Sequence, residues 1–337
     1  MKNFFGKNIL YIDVIKIIAC FLVIINHTSS IMFNHQASNV DFVYTLYFSI
    51  CKMAVPLFIM CTGALILDKS YNYKKVFKSI FRVFVPLLIL SFIIYIKNVG
   101  FSNINIIYFI GEFIYGPSIT ALWYLYMLIG LYLVTPFIQK MIKDFKDKDY
   151  IIFASIFLLI PSLINLVRVY LPFTPSPYFT YAFFPNLLGY YILGSYFSKL
   201  KRNKKCLLIS IIVFIISYIG MILSMYIPYL KDGVLSYALD NYVALPVALM
   251  AISFFYIIKY IFGKSSSPRF ISEVAKTTFG IYLIHFILNY KIYNMVFIPI
   301  LESNVYVGIL LLYIVTFVVC SIIIWILRRI PIIKDFL

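Results

Sequence analysis

Charged side chains are scarce in this sequence. Only 12% of the 337 residues are Asp, Glu, Lys or Arg, against about 25% in an average soluble domain. Long polar stretches are absent as well, and the mean hydropathy is +0.98. These absences exclude a water-soluble globular protein. Hydrophobic runs of membrane-spanning length recur along the whole chain, and they predict an integral membrane protein.

Acidic residues are rarer than basic ones. The sequence has 12 Asp and Glu and 29 Lys and Arg, which gives a net charge of +17. Placement excludes nucleic-acid binding as the reason for this excess. Short basic loops and the terminal segments hold 23 of the 29 basic residues, and they alternate with loops that hold few. This alternation follows the positive-inside rule. We therefore expect a multi-pass protein of a bacterial-type plasma membrane, with no nucleic-acid partner.

The hydrophobic runs predict an all-α integral membrane protein with about ten transmembrane helices and both termini in the cytoplasm. The predicted spans are 9–33, 43–67, 77–97, 121–139, 150–168, 181–199, 206–226, 241–262, 271–290 and 304–328. We expect a single polytopic domain over residues 1–337. Its first hydrophobic stretch is too long and too polar for a cleaved signal peptide. The stretch INIIYFIGEFIYGP is short for a crossing, and we expect it to re-enter the membrane or to lie along the outer face.

Cysteine is rare too, and its five copies show no CxxC spacing. They lie in or beside predicted spans, where small buried hydrophobic side chains are favoured over disulfides or metal ligands. We expect no metal site and no permanently bound cofactor.

Three ionisable residues, Asp13, Lys16 and His27, lie inside the first hydrophobic stretch, ILYIDVIKIIACFLVIINHTSSIMF. Lys16 and His27 are eleven residues apart, which is about three helical turns and only about 20° in azimuth. Asp13 precedes Lys16 by about one turn and can pair with it. One helix face therefore carries a carboxylate and an ammonium near the cytoplasmic end and an imidazole in the outer half.

This polar stripe has two interpretations, because ionisable groups inside a membrane are expensive. In the first, Lys16 reaches toward the interface to join Asp13, and His27 hydrogen-bonds a neighbouring helix. In the second, the stripe lines a site. A neutral His27 then takes a proton from a hydroxyl or becomes acylated, and the cation binds a phosphate-bearing donor. The second interpretation is favoured for the three residues together.

A second intramembrane histidine, His285, lies in the stretch TTFGIYLIHFILN of the ninth predicted span. Glycine and small residues in the first half of this stretch allow a close helix approach. Taken alone, His285 is more typical of packing than of catalysis. His35 follows the first span beside Asn34 and Gln36, and we interpret it as an ordinary loop residue.

Four blocks, in this order, resemble the membrane-bound acyltransferase 3 family, whose members transfer acyl groups onto cell-surface sugars. The first is DVIKIIACFLVIINH, in which Asp13 and His27 match the family pattern and Lys16 stands where arginine is usual. The second is MAVPLFIMCTGALIL, with Thr62 and Gly63 for the usual Ser-Gly. The others are ALWYLYMLIGLYLVTPFI and TTFGIYLIHFIL. The resemblance covers nearly the whole chain and is nearest to the standalone O-acetyltransferase branch.

This resemblance implies a cytoplasmic acyl-CoA donor, acetyl-CoA in that branch, and an acceptor hydroxyl on an envelope glycan or a lipid-linked sugar. It implies that His27 is the catalytic residue, and we place Asp13, Lys16 and His285 in the catalytic site with it. Lys16 is also assigned to the donor. As a lysine, it offers a point charge without the two-pronged contact that arginine makes with phosphate.

The basic pair that the family carries after its second span corresponds to Lys78 and Arg82 in the stretch KKVFKSIFR. We assign both residues to donor binding. Topology alone is the alternative explanation, because every cytoplasmic loop of this chain is basic. Arg82 is the better candidate of the two, since it lies deeper in the third predicted span.

The acceptor side is assigned to Glu112, Trp123, Tyr124 and Tyr282. Trp123 and Tyr124 begin the fourth predicted span at the outer interface, where aromatic anchoring is the usual reason for such a pair and sugar stacking is the alternative. Glu112 is the lone acid of the short outer stretch before them, and it is a candidate to orient His27 or the acceptor hydroxyl. Tyr282 completes the pocket.

A transporter or flippase of a polar or sugar-lipid substrate is the alternative function, because ten spans with polar stripes fit it too. Transporters often show internal repeats and broken helices. Neither a repeat nor prolines at matched positions in the two halves are evident here. A membrane-sensor module ranks last, because we see no cytoplasmic catalytic domain in these residues.

Overall fold

A computed structural model describes residues 9–28, 40–69, 73–117, 120–171, 187–292, 300 and 304–337. Within these ranges the secondary structure is helical, and the only β-type pairing is a single bridge between Ile9 and Ser266. The helices are α1 (Leu10–Thr28), α2 (Val40–Cys51), α3 (Ala54–Ile66), α4 (Tyr73–Val99), α5 (Ile106–Tyr115), α6 (Trp123–Met141), α7 (Asp147–Tyr170), α8 (Leu188–Lys199), α9 (Lys204–Asp232), α10 (Leu245–Phe262), α11 (Arg269–Ile292), α12 (Val305–Leu327) and α13 (Pro331–Lys334). For the described residues, the all-α prediction is confirmed.

Nine helical segments in the described part of the chain are long and apolar enough to cross a membrane. They correspond to nine of the predicted spans. The remaining predicted span, 181–199, includes α8, but its residues 181–186 lie outside the described ranges. The stretch INIIYFIGEFIYGP contains α5, which at ten residues is too short for a crossing.

The second predicted span, 43–67, is interrupted rather than continuous. α2 ends at Cys51, Lys52 and Met53 form a turn, and α3 begins at Ala54. Pro56 lies in the first turn of α3, where a missing backbone N–H removes no intrahelical hydrogen bond. The predicted span is present as the membrane-length segment Phe42–Ile66, and the two-residue turn inside it was not predicted, because the residues on both sides of the turn are apolar.

The described residues form two compact units. Unit one comprises Met1–Asp68 and Phe145–Trp325, and unit two comprises Lys69–Asp144 and Ile326–Leu337. In unit one, α1 packs against α2, α3, α10 and α11, while α8 packs against α3 and α7. In unit two, α4 packs against α5 and α6. The helix with the polar stripe is therefore an interior helix of unit one.

Two glycines allow α3 and α8 to cross in close contact. A Cβ atom on Gly63 would overlap the backbone carbonyl of Tyr191, and one on Gly194 would overlap the backbone carbonyl of Met60. A backbone carbonyl can move away only if its whole helix shifts, so neither position has room for a side chain. Small residues of this kind let membrane helices approach closely. Gly63, in the second of the four blocks, therefore has a packing role.

Candidate functional site

The polar stripe of α1 lies along α11. The Cys20 Sγ atom is 3.6 Å from the backbone oxygen of Thr278, and the rings of His27 and His285 are 5.2 Å apart between centroids. On both helices the step between these contacts is seven residues, about two turns. α1 and α11 therefore run parallel and in register, and this register brings the two intramembrane histidines together.

Small side chains make this helix contact possible. Ala19 and Cys20 on α1 are buried, as are Ala275 and Thr278 on α11. The Thr278 hydroxyl donates to the backbone oxygen of Ala275 at 2.8 Å, so its burial leaves no unpaired donor. On another face of α11, Gly280 has no room for a side chain against Ile324 of α12. The predicted close approach of the ninth span is confirmed.

Hydrogen bonds determine which nitrogen of His285 carries the proton. The Nδ1 atom is 2.8 Å from the backbone oxygen of Tyr282 and 3.2 Å from that of Ile281. A carbonyl oxygen can only accept, so Nδ1 is the protonated nitrogen and donates. In the neutral ring, Nε2 then carries a lone pair, and it is buried without a hydrogen-bond partner among the described residues. That nitrogen is able to accept a hydrogen bond.

His27 and His285 differ in how much of their surface the surrounding protein covers. His285 is 0% exposed, whereas His27, next to the last residue of α1, is exposed. The ring of Tyr282 lies 5.9 Å from that of His285 and lines the same place. The protein covers His27 less than His285, so a substrate can approach the His27 ring. The buried ring of His285 is held next to it.

A buried ion pair lies within electrostatic range of His27, and sequence reasoning assigned it no role. Lys52 Nζ is 2.5 Å from Asp240 Oδ1, and the two side chains are only 10% and 23% exposed. Lys52 acts electrostatically on His27, which in turn acts on His285. We call these four residues and Tyr282 the histidine cluster. A lysine inside an apolar span was the available signal, but its partner comes from a distant segment.

The other end of the stripe is a group of charges. Asp13 has Lys16 and Lys276 as electrostatic neighbours, and the pairing of Asp13 with Lys16 stays a prediction. Lys276 Nζ also forms an ion pair with Glu273 Oε1 at 2.7 Å. Sequence reasoning missed the two α11 charges, because only the packing of α11 on α1 brings them to Asp13.

A second polar cluster of unit one is fully hydrogen-bonded. Asp68 Oδ1 accepts from Ser195 Oγ at 2.7 Å and pairs with Lys199 Nζ at 2.6 Å, and Oδ2 accepts from Ser198 Oγ at 2.9 Å. Lys199 also donates to Tyr150 Oη at 3.0 Å. We call these five residues the Asp68 cluster. Its hydrogen bonds and ion pair connect the end of α3 to α8 and α7, and we therefore interpret the Asp68 cluster as structural.

The predicted donor-binding arginine lies in unit two. Arg82 Nη2, on α4, is 2.6 Å from the main-chain oxygen of Leu337, and Arg328 Nη1 is 2.8 Å from the same oxygen. Two guanidinium groups that converge on one oxygen have the chemistry of an anion site. Arg328 was not among the predicted residues, and its position beside Arg82 depends on how the segment after α12 folds back.

Unit two also holds four other predicted site residues. Lys78 is exposed on α4, and Glu112 is exposed on α5. Trp123 is half-buried at the start of α6, and Tyr124 beside it is 7% exposed. Their rings lie 6.4 Å apart and nearly perpendicular. The roles of these four residues toward donor and acceptor stay predictions.

The described fold is that of a multi-pass membrane protein, and its histidine cluster brings two imidazole rings together on membrane-length helices. Among the described residues, no group of three or more His, Cys, Asp and Glu side chains could hold a metal ion. The profile of the acyltransferase 3 family, described as an acyltransferase domain, matches residues 9–326. The chain belongs to this family, as the four blocks predicted, and it is a membrane acyltransferase. No curated protein and no solved structure matches it significantly.

Proposed function

We propose that the protein is a membrane O-acetyltransferase, which transfers the acetyl group of cytoplasmic acetyl-CoA to a hydroxyl of a cell-envelope glycan or lipid-linked sugar. The observation that carries this proposal is the contact of exposed His27 with buried His285. The family supplies the reaction class, acyl transfer. The two imidazoles supply a base or a nucleophile for it.

The proposed topology gives the site access to both sides of the membrane. Ten transmembrane helices form one polytopic domain in a bacterial-type plasma membrane, with both termini in the cytoplasm. Asp13 and Lys16 then lie near the cytoplasmic end of α1, where the donor arrives. His27 and His285 lie in the outer halves of their helices, where an envelope acceptor arrives. The basic loops support this orientation.

His27 is the proposed base, because it is the accessible histidine of the pair. It takes the proton of the acceptor hydroxyl, whose oxygen attacks the thioester carbonyl, and later returns that proton to the CoA thiolate. At the observed ring separation, rotation of the His27 side chain can bring a ring N–H to Nε2 of His285. The buried lone pair of His285 thus orients His27 and stabilises its protonated form.

A second route uses His27 as a nucleophile. The imidazole attacks the thioester on the donor side, CoA leaves, and the acetyl group stays on the ring until the acceptor hydroxyl takes it. Incubation with acetyl-CoA without acceptor separates the two routes. Intact-mass measurement then shows an acetylated protein, absent from His27→Ala, only if the nucleophilic route operates.

Lys16 of unit one and, considered separately, Lys78 and Arg82 of unit two are the residues proposed to bind the phosphates of CoA. Arg328 joins them, because it shares an oxygen acceptor with Arg82. Charge-assisted contacts of arginine with phosphate are strong and directional. Tyr282, beside His285 in unit one, is proposed to contact the acceptor. The same role is proposed separately for three residues of unit two, Glu112, Trp123 and Tyr124.

A transporter or flippase is the second candidate function, and one observation favours it. The segment Phe42–Ile66 is interrupted at Lys52 and Met53, and broken helices are typical of transporter binding sites. The family supports the enzyme instead. Mass spectrometry of envelope glycans and lipid-linked sugars decides, because only the enzyme adds an ester-sized mass difference in cells that carry the gene.

The central experiment compares His27→Ala with His35→Ala, a change at the remaining histidine of the chain. We expect His27→Ala to lower acetyl transfer by roughly 10²–10⁴-fold and His35→Ala to leave it unchanged. The readouts are ester content of the envelope and CoA release per folded protein in inside-out membrane vesicles. A His27→Ala protein with wild-type activity per folded molecule and a lower melting temperature would show that His27 is structural.

The donor site is tested with Arg82→Ala, and Arg329→Ala serves as a neighbouring control. Loss of one charge-assisted contact is expected to weaken acetyl-CoA binding by about 1.5–3 kcal/mol. Titration of detergent-purified protein with acetyl-CoA measures this directly. If Arg82→Ala lowers the melting temperature and keeps wild-type affinity, then Arg82 serves only to hold the segment that ends at Leu337.

A further inference from the structure

Lys52 lies where a lysine is costly to place. It belongs to the membrane-length segment Phe42–Ile66 and occupies the turn between α2 and α3. Its side chain is only 10% exposed. Ionisable residues inside membrane segments usually mark a site or a pathway. Irregular backbone at membrane depth is tolerated where protein or a polar cavity surrounds it. The turn and the buried lysine therefore both indicate a polar site at this position in the membrane-length segment.

The surroundings of Lys52 hold its ammonium in one position. Nζ is 2.5 Å from Asp240 Oδ1 and 4.3 Å from the centre of the Phe48 ring. Asp240 lies between α9 and α10, and Tyr237 of the same connection packs edge-on against Phe48 at 5.6 Å. An ammonium has three N–H donors. Among the described residues, the single Asp240 oxygen and the aromatic ring leave donor capacity for a further acceptor.

Stability alone does not account for this ion pair. Desolvation offsets most of the attraction between two buried charges, and apolar residues of similar volume often serve the fold equally well. Lys52 is, however, an electrostatic neighbour of His27. The helix that carries His27, α1, packs against both α2 and α3, and Lys52 lies in the turn between those two helices. The described residues of unit one thus place a cation within electrostatic range of His27, and a partner carboxylate positions that cation.

We infer that Lys52 is a further catalytic residue, whose ammonium binds the oxyanion that forms on the acyl carbonyl, and that Asp240 is the positioning residue for Lys52. This inference rests on the proposed acyl transfer. Acyl transfer needs a positive or hydrogen-bonding group at the carbonyl oxygen, because negative charge develops there. Asp240 also reduces the repulsion between Lys52 and a protonated His27, since it neutralises much of the lysine charge.

The electron movements balance with the groups present. The His27 imidazole takes the proton of the acceptor hydroxyl, and the hydroxyl oxygen bonds to the thioester carbonyl carbon. The π electrons of the carbonyl move onto its oxygen, which becomes the oxyanion bound by Lys52. Collapse of the oxyanion breaks the carbon–sulfur bond, and the CoA thiolate takes the proton from the imidazolium. The products are the oxygen ester and CoA, and no further reactant is consumed.

The test removes both charges at once, so that no unpaired charge remains in the protein. In the double variant Lys52→Met/Asp240→Asn, we expect a near wild-type melting temperature and a loss in kcat of roughly 10²–10³-fold. The KM for acetyl-CoA should stay within about threefold, since the lost contact forms only in the transition state. Acetyl-CoA turnover is measured in inside-out vesicles that contain the native acceptors.

A matched control is the double variant Lys199→Met/Asp68→Asn, which removes a second lysine–aspartate pair of unit one. It should keep wild-type kcat per folded molecule. A Lys52→Met/Asp240→Asn protein that also keeps wild-type kcat would overturn the inference. If that protein cannot be recovered folded, Lys52→Gln replaces it, because glutamine keeps a donor for Asp240 and lacks the charge. The same loss is expected, and wild-type kcat again overturns the inference.

Failure of the inference and failure of the proposed function give different results. If wild-type vesicles release no CoA and form no ester from acetyl-CoA, the proposed acetyl transfer is wrong. If the wild type is active and both Lys52 variants match it, only the role of Lys52 is wrong. Partial recovery by Lys52→Arg, which keeps the charge with a different shape, is expected for an electrostatic role.

Discussion

The Asp68 cluster and the histidine cluster are both built around a lysine–aspartate pair in unit one, yet their polar atoms are bonded to different extents. Both carboxylate oxygens of Asp68 accept hydrogen bonds from serines, and Lys199 has a second partner in Tyr150. In the histidine cluster, Nε2 of His285 is buried without a hydrogen-bond partner in the part of the chain that the structure describes. Satisfied polar groups stabilise a fold, whereas an unsatisfied buried nitrogen needs another explanation. Catalysis is the explanation we propose.

The largest expected effect is on activity at His285. His285→Gln keeps a polar side chain of similar size but removes the basic ring nitrogen. We expect acetyl transfer to fall by roughly 10²–10⁴-fold, with only a small change in melting temperature. CoA release per folded molecule is the measurement. The comparison fails if Ser195→Ala, made in the Asp68 cluster as a control, reduces the rate to the same extent.

The next effect is on stability, at the crossing that carries the Asp68 cluster. Gly63→Ala places a methyl group against the Tyr191 carbonyl, and overpacking of this kind costs about 1–3 kcal/mol. Gly220→Ala on α9 is the matched control, because a Cβ there meets no atom within 4 Å. Melting temperatures in detergent should fall for Gly63→Ala and stay equal or rise for Gly220→Ala. Equal values for both variants would contradict the close crossing of α3 and α8.

Asp68→Asn is expected to have a smaller effect, and it should act on stability alone. The change weakens the bonds to Ser195, Ser198 and Lys199, and we expect a loss of about 1–2 kcal/mol, since a charged acceptor becomes neutral. Activity per folded molecule should not change. Thermal melting and CoA release on the same preparation check both statements, and a selective loss of kcat would give the Asp68 cluster a functional role as well.

The smallest effect is expected at Lys199. Its side chain is 49% exposed, and exposed ion pairs contribute about 0–1 kcal/mol. Lys199→Met should therefore lower the melting temperature less than Asp68→Asn does. The reverse order would mean that the lysine, rather than the two serines, holds the Asp68 cluster together.

Much of the fold could be predicted because membrane spans depend on local composition. A run of apolar residues about 20 long needs a helix in a bilayer, whatever lies around it. The helices along the described chain therefore agree with the hydrophobic runs. The break at Lys52 could not be read in the same way, since the residues on both sides of it are apolar. Only the packing of α2 and α3 shows where the backbone turns.

Part of the candidate site could also be predicted from local spacing. The step from Lys16 to His27 puts both residues on one face of α1, and this follows from the pitch of a helix. The Tyr-x-x-His spacing likewise puts the Tyr282 carbonyl within one turn of His285, where Nδ1 reaches it at 2.8 Å. The partner of Lys52 was not predictable, because Asp240 follows a different helix and helical periodicity does not extend between segments.

The sequence by itself determined that this protein is a helical membrane acyltransferase with ionisable groups on its first span. Composition, helix pitch and the family blocks are local properties, and they can be read from neighbouring residues alone. The tertiary structure decided which of those groups meet. Parallel packing of α1 on α11 joins His27 to His285, and the fold of the α9–α10 connection joins Asp240 to Lys52. These pairings depend on side-chain volumes across helix contacts, and such volumes act only after distant segments come together.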